Sequence, residues 1–206
     1  MPKGSPELTA SRKEEIVSAC EKLYRTMSFK EITIKDIGSV TSFTRTSVYN
    51  YFQTKEEIFL ALMQREYELW AAEMNALAKE HEEMSAENFA AALARSLEKH
   101  KQLLKLLAMN HYDMEANARL ERLTEFKTAY GASLDAVRNC VEKFFPKKDS
   151  ERFVFVFFPF LFGVYPYAVA TEKQLTAMRE AKMNFKVYGI YEIIYSCVIE
   201  LLGGAK

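Results

Sequence analysis

Arg45, Thr46, Ser47, Tyr49, Asn50 and Tyr51 place six hydrogen-bonding side chains within seven consecutive residues, RTSVYNY. An arginine fork offers two donors spaced for O6 and N7 of a guanine, and a threonine offers a hydroxyl beside a methyl that suits thymine. Tyr49, one helical turn beyond Arg45, reaches a base or a sugar according to the docking angle. Val48 and Phe52 supply the apolar side of the same short helix, so the polar set lies on the opposite side. Upstream, Ile34 and Ile37 form the apolar side of another short helix over Ile34–Val40. Thr44 stands immediately before the second helix, where its hydroxyl can accept an N-terminal backbone N–H. Two short helices crossing at a steep angle, the second opening with base-reading side chains, make a helix-turn-helix. Thr33, Ser47, Tyr51 and Lys55 are the candidate phosphate contacts that fix its register, Lys55 at a helix N-terminus where amide dipoles favour an anion. The plainer reading of Tyr49 and Lys55 is core filler and surface charge.

The run Thr33–Glu57, TIKDIGSVTSFTRTSVYNYFQTKEE, resembles the DNA-binding motif of the TetR family of transcriptional regulators. The resemblance is carried by Thr33-Ile34, Asp36-Ile37, Phe43-Thr44, Tyr49-x-Tyr51-Phe52 and Lys55-Glu56-Glu57-Ile58. It departs at the turn, where Thr41-Ser42 replaces the usual Ala-Gly. A non-glycine residue at positive φ is costly, so Ser42 predicts a strained turn. The resemblance implies DNA contact at Thr33, Thr44, Arg45, Thr46, Ser47, Tyr49, Asn50, Tyr51 and Lys55. It also implies a small-molecule effector, pairing of the last two long helices across a two-fold axis in a homodimer, and repression of a palindromic double-stranded operator.

The elements that must position these residues are helical. The chain has 206 residues, only 7 Gly and 5 Pro, and few β-rich stretches, which predicts an all-α protein. Net formal charge is zero, with 28 basic and 28 acidic residues, so no global field announces a nucleic acid. Charge is local: from Lys22 to Lys55 six basic residues face two acidic ones. Cys20, Cys140 and Cys197 form no CxxC pair, which argues against a disulfide framework or zinc ribbon and fits a reducing cytoplasm. Residues 1–8 lack an apolar signal-peptide core and read as a flexible arm; residues 9–53 form the DNA-binding head and 54–206 the regulatory domain.

Helix one spans about Arg12–Met27, with Ser11 and Glu14 as a capping box, and Thr54 with Glu57 as a second box opening a long helix. That helix, on the order of 40 Å at ~1.5 Å per residue, is long enough to join head to regulatory domain. Helices follow over Ala86–His100, a short segment to Met109, and Ala116–Phe145, with a break at Asn110–Asp113. Phe153–Ala170 is eighteen residues without a charge. A membrane span, a strand and a buried helix compete for it; Pro159, Gly163 and Pro166 favour a buried helix kinked near a proline. A short helix lies within Thr171–Met183, and Phe185–Leu202 is a final amphipathic one. Fourteen of the 27 aromatic residues fall between Phe144 and Tyr195, more than a monomeric core needs, which suggests subunit contact.

Leu107, Asn110, His111, Tyr112, Phe126, Tyr130, Phe158, Phe162 and Tyr165 are the candidate effector walls, apolar area with few polar groups; an aromatic stripe at helical spacing is also ordinary core. The implied effector is largely apolar. His81, His100 and His111 lack Glu-x-x-His partners and read as surface or capping residues, and no G-x-S-x-G, P-loop, G-x-G-x-x-G or HExxH is found. No enzyme, cofactor, metal or membrane role is expected. The alternative function is a helical small-molecule or lipid carrier without sequence-specific DNA binding.

Overall fold

A computed structural model describes residues 5–109 and 111–203. The described residues form α-helices and no strand: α1 (Pro6–Tyr24), α2 (Ile34–Ser39), α3 (Arg45–Val48), α4 (Lys55–Glu80), α5 (Ala86–Lys99), α6 (Lys101–Leu107), α7 (His111–Ala116), α8 (Leu120–Phe144), α9 (Ser150–Ala168), α10 (Glu172–Glu180) and α11 (Ile190–Leu201). They divide into two compact units, residues 5–65 with 111–130 and residues 66–109 with 131–203. The division falls within α4 and within α8 rather than at residue 53, because the first turns of α4, α7 and the start of α8 pack with the head.

In the first unit α1 starts earlier than the Ser11 box predicts. Ser5 caps it, its hydroxyl accepting from the Leu8 N–H at 3.3 Å, and Pro6 takes the first helical position, where its missing N–H costs nothing. Residues 6–8 are therefore helical, not a flexible arm, and residues 1–4 lie outside the described residues. Glu14 instead accepts from the Ser18 hydroxyl and from Arg65. Ile16, Cys20, Tyr24, Ile32, Ile37, Val48, Phe52, Ile58 and Phe59 are buried together as one core. Phe59 receives the edges of Tyr24 and Phe29 at centroid distances of 5.2 and 4.8 Å. The polar stretch expected as a break forms α7 from His111 onward; Asn110 lies outside the described residues. Burial pushes the Cys20 thiol up to about 12, so it is protonated at neutral pH.

In the second unit α11 packs on α5 and α9, and α6 packs on α9. Phe89 gathers Phe144, Phe145 and Phe153 around it, and Trp70 meets Phe158 at 5.7 Å. Asp149 caps α9 through the Arg152 N–H, and the helix runs through Pro159 and Pro166. Only one side is buried: Phe153, Val154, Phe157, Phe158, Leu161 and Val164. Phe155 is 78% exposed and Tyr167 69%, so the fully buried helix expected here is half-buried, apolar on both sides. Among the described residues no single helix is long and apolar enough to cross a membrane.

His100 caps the end of α5 and the start of α6, and its ring is a bridge rather than a surface group. Nε2 lies 3.0 Å from Glu73 Oε2 and Nδ1 3.9 Å from Glu66 Oε2, both on α4; Lys99 Nζ also donates to Glu73 at 3.0 Å. Glu66 raises the His100 pKa above its ordinary 6.5, burial opposes this, and Glu73 adds to the rise. A raised folded pKa stabilises fully below 6.5, and the contribution fades as pH climbs through the folded value. The melting temperature of the wild type should therefore fall between pH 6.5 and pH 8 by more than that of His100→Gln, as followed by thermal denaturation; equal slopes would show that the bridge carries no proton-linked stability.

Candidate nucleic-acid interface

The interface is built on α2 and α3 within the first unit. Thr33 caps α2 in a reciprocal box: its hydroxyl accepts from the Asp36 N–H at 3.2 Å, and the Asp36 carboxylate accepts from the Thr33 N–H at 2.9 Å. The Thr33 hydroxyl also donates to the Asp36 carboxylate at 2.6 Å, and this bond, with the Thr33 N–H, holds the Asp36 carboxyl below its ordinary range. Gly38 sits where α2 crosses α3. A Cβ there would come within 3.0 Å of Arg45 Cα, so the crossing is as close as it is because this side chain is missing.

The turn between the helices is not strained. Among the described residues positive φ occurs only at Lys182 and Gly203, and Ser42 adopts an ordinary conformation. Its N–H donates to Glu15 of α1, its hydroxyl donates to Glu15 Oε2 at 3.1 Å, and the same hydroxyl accepts from Arg12 at 3.1 Å. Arg12 also covers the Phe43 ring at 4.6 Å. Residue 42 is thus held by side chains of α1, and no left-handed glycine is needed. Arg12 and Glu15 carry no local sequence signal; the glycine at 38, inside a short helical pattern, was the available clue to the close crossing.

α3 is a single turn, continued by bonds from Tyr51 N–H to Val48 O at 2.9 Å and from Phe52 N–H to Val48 O at 3.1 Å. Thr44 occupies the N-cap position, but its hydroxyl meets the Ser47 hydroxyl at 3.2 Å and caps no backbone N–H. Thr33, Thr44, Arg45, Thr46, Tyr49 and Asn50 are exposed, while Ser47, Tyr51 and Lys55 are half-buried. Arg45 lies back along the helix, its Nη2 donating to Tyr49 Oη at 3.2 Å. Arg45 and Tyr49 therefore form one polar surface at the outer side of α3. Lys55 differs from its expected role. Its ammonium donates to the carbonyls of Phe29 at 2.8 Å and Ile32 at 3.2 Å and stands over the Phe29 ring at 4.1 Å. Two of its three donors are thereby committed to the α1–α2 loop.

The candidate effector walls fall in both units. Phe126 is buried and stacks on half-buried Tyr130 at 6.5 Å, with His111 half-buried in the same unit. Tyr112 is 89% exposed, because α7 turns it outward, and lines neither cavity described below. Leu107 and Phe158 are buried in the second unit, where Tyr165 is half-buried and Phe162 exposed. Burial raises the phenol pKa of both Tyr130 and Tyr165. Two cavities open in the second unit. A polar one of about 740 Å³ lies among Leu77, His81, Ser85, Asn88, Arg95 and Phe144. An apolar one of about 470 Å³ lies among Phe160, Gly163, Tyr167, Phe185, Tyr188 and Ile193. Neither uses any of the eight predicted walls among the described residues. Among the described residues no group of His, Cys, Asp and Glu could hold a metal ion.

Residues 64–188 match the family described as tetracyclin repressor-like, C-terminal domain. No curated protein matches the chain in sequence. Its fold is similar to that of the fatty acid degradation regulator FadR from Bacillus halodurans, with a TM-score of 0.60 at 15% identity, covering 94% of this chain and 99% of that one. A TetR/AcrR-family transcriptional regulator from Thermobifida fusca gives 0.59 at 15% identity over 95% and 99%. FadR from Bacillus subtilis, solved in complex with stearoyl-CoA, gives 0.56 at 16% identity over 94% and 99%. With a family match over more than half its length, the chain belongs to the tetracycline-repressor-like (TetR) family of ligand-responsive, DNA-binding transcriptional regulators.

Proposed function

We propose that this regulator is a homodimeric repressor that leaves a palindromic operator when a largely apolar small molecule binds its C-terminal part. The exposed row Arg45, Thr46, Tyr49 and Asn50, at the close α2–α3 crossing, carries the DNA reading. Arg45 reads a guanine edge once it swings from Tyr49, Thr46 and Tyr49 take the neighbouring positions, and Thr33, Thr44, Ser47 and Tyr51 hold phosphates. Lys55 adds at most its remaining N–H. Residues 9–53 act as reader and 54–206 as regulator, working in the cytoplasm where the operator is. An apolar effector is supported by the charge-free run from Phe153 to the end of α9 and by the stearoyl-CoA in the B. subtilis FadR structure. Of the expected walls, Leu107, Phe158 and Tyr165 of the second unit remain the proposed ones. Pairing through α9 and α11 is supported by the exposed Phe155 and Tyr167, apolar area that a free monomer would leave in water.

Selection from a randomised duplex library tests the DNA reading. A two-fold symmetric consensus is expected, and Arg45→Ala should weaken its binding by about 1–3 kcal/mol, the worth of one bidentate base contact. Enrichment of no sequence, with binding that disappears as salt rises, would sink it. Gly38→Val forces α3 away from α2 and should lower stability by roughly 1–3 kcal/mol, the cost of overpacking, while abolishing selective binding; unchanged selectivity would mean that the crossing tolerates a wider gap. Phe155→Glu combined with Tyr167→Glu should convert a dimer to a monomer in sedimentation equilibrium, and a surviving dimer would place the contact elsewhere.

A further inference from the structure

Glu57, in the first turn of α4, is fully buried, and its carboxylate accepts four hydrogen bonds. One oxygen accepts the Arg119 backbone N–H at 3.1 Å and its Nε at 2.6 Å; the other accepts Arg119 Nη2 at 2.8 Å and the Gln53 N–H at 2.8 Å. The expected Thr54–Glu57 box is thus only half made: Thr54 Oγ1 accepts from the Glu57 N–H at 3.2 Å, while the Glu57 carboxylate is given to Arg119. Thr54 Oγ1 also lies 3.1 Å from Asn117 O, as its donor. Finally, Arg119 Nη2 donates to the Tyr51 carbonyl at 3.3 Å. Tyr51 is the residue whose N–H closes on Val48, the last residue of α3.

The turn between α7 and α8 therefore grips the exit of the recognition helix at both of its ends, Tyr51 and Glu57. We propose that Arg119 is a positioning residue for DNA reading, holding α3 at its reading angle and passing to it any displacement of the start of α8. This rests on the reading of α3 as the DNA-contacting helix. The device is suited to switching because a buried carboxylate tolerates no halfway state: either the guanidinium fork is seated, or a charge is left uncompensated. Burial pushes the Glu57 carboxyl up, and the Arg119 and Gln53 donors outweigh it, holding it below its ordinary value. α8 itself continues beyond Tyr130 into the second unit, so the residue that grips α3 stands at the head of a helix belonging to both.

Two variants of the full chain test this. Arg119→Lys keeps the charge but loses the fork. Glu57→Leu with Arg119→Met removes the ion pair while filling its space, so that no buried charge is stranded. Both are compared with wild type for melting temperature, for the ratio of affinities toward the selected operator and a scrambled duplex, and for the salt slope. Amide exchange at residues 117–123 is followed with and without operator. The expected result is at least a tenfold loss of the ratio in each variant, with an unchanged salt slope and, for the double variant, an undiminished melting temperature. In the wild type, operator should slow exchange at the Arg119 amide; in the double variant it should not. A ratio within twofold of wild type in the folded double variant, or a wild-type Arg119 amide indifferent to operator, overturns the proposal. A wild type that selects no sequence overturns the DNA reading itself, and the proposal with it.

Discussion

A helix of four residues has no stability of its own. Fixing one turn costs several dihedral angles for a single hydrogen bond, and isolated helices need roughly three times that length to persist in water. α3 is such a helix, so its orientation belongs to its surroundings. Val48 and Phe52 bury its inner side. The missing side chain of Gly38 sets how near α2 comes, and Thr41 Oγ1, 3.0 Å from both Gly38 O and Phe43 O, ties the turn to itself. Arg12 and Glu15 hold Ser42 from α1, Lys55 holds the loop before α2, and Arg119 holds the exit. A reading helix assembled this way is easily moved, which a regulator requires and a purely structural domain does not.

Charge in this chain is spent on positioning more than on attraction. Besides Glu57–Arg119, the Arg65 guanidinium binds Glu21 at 2.6 Å and also Glu14, fastening α4 along α1. In the other unit His100 joins Glu66 and Glu73. Buried or half-buried pairs add little net stability over apolar side chains of the same size, but an unpaired member is costly, so they select one arrangement against its neighbours. Such pairs specify geometry where apolar contacts would permit sliding.

The helix-turn-helix was legible because its determinants are local: apolar residues at helical spacing, the Thr33–Asp36 box three residues apart, and a polar run on one side of a turn. Other features were hidden by distance or by competition. Lys55 is committed to carbonyls 26 and 23 residues upstream, and Arg119 to Glu57 across 62; no window on the sequence contains both partners. The Ser11–Glu14 pattern lost to Ser5-Pro6-Glu7, where cap, proline and acidic first turn coincide. The Ser42 strain was inferred from the absence of a glycine, whereas α1 supplies side chains that satisfy the turn without a left-handed residue. For the effector walls, aromatic spacing along α8 and α9 reads the same for packed core and for pocket. Phe158 is core against Trp70, and Tyr112, on a one-turn helix read as a break, faces water.

The commitment of Lys55 to backbone carbonyls limits how the proposed head can hold DNA. Counterion release supplies most non-specific affinity in proportion to the phosphates neutralised. Arg45 is the proposed base-reading cation, and the proposed phosphate contacts Thr33, Thr44, Ser47 and Tyr51 are uncharged hydroxyls. In the proposed homodimer, two heads fixed at the spacing of one helical turn of DNA would convert the second contact into an intramolecular event, with gains on the order of 10²–10⁴ that need no additional charge. The same arithmetic makes release sensitive: a change that spoils the spacing or tilts one α3 forfeits the avidity at once. In the proposed homodimer the exposed apolar surface of α9 would join the heads, and the gripped exit of α3 would keep each at an angle from which it can be displaced.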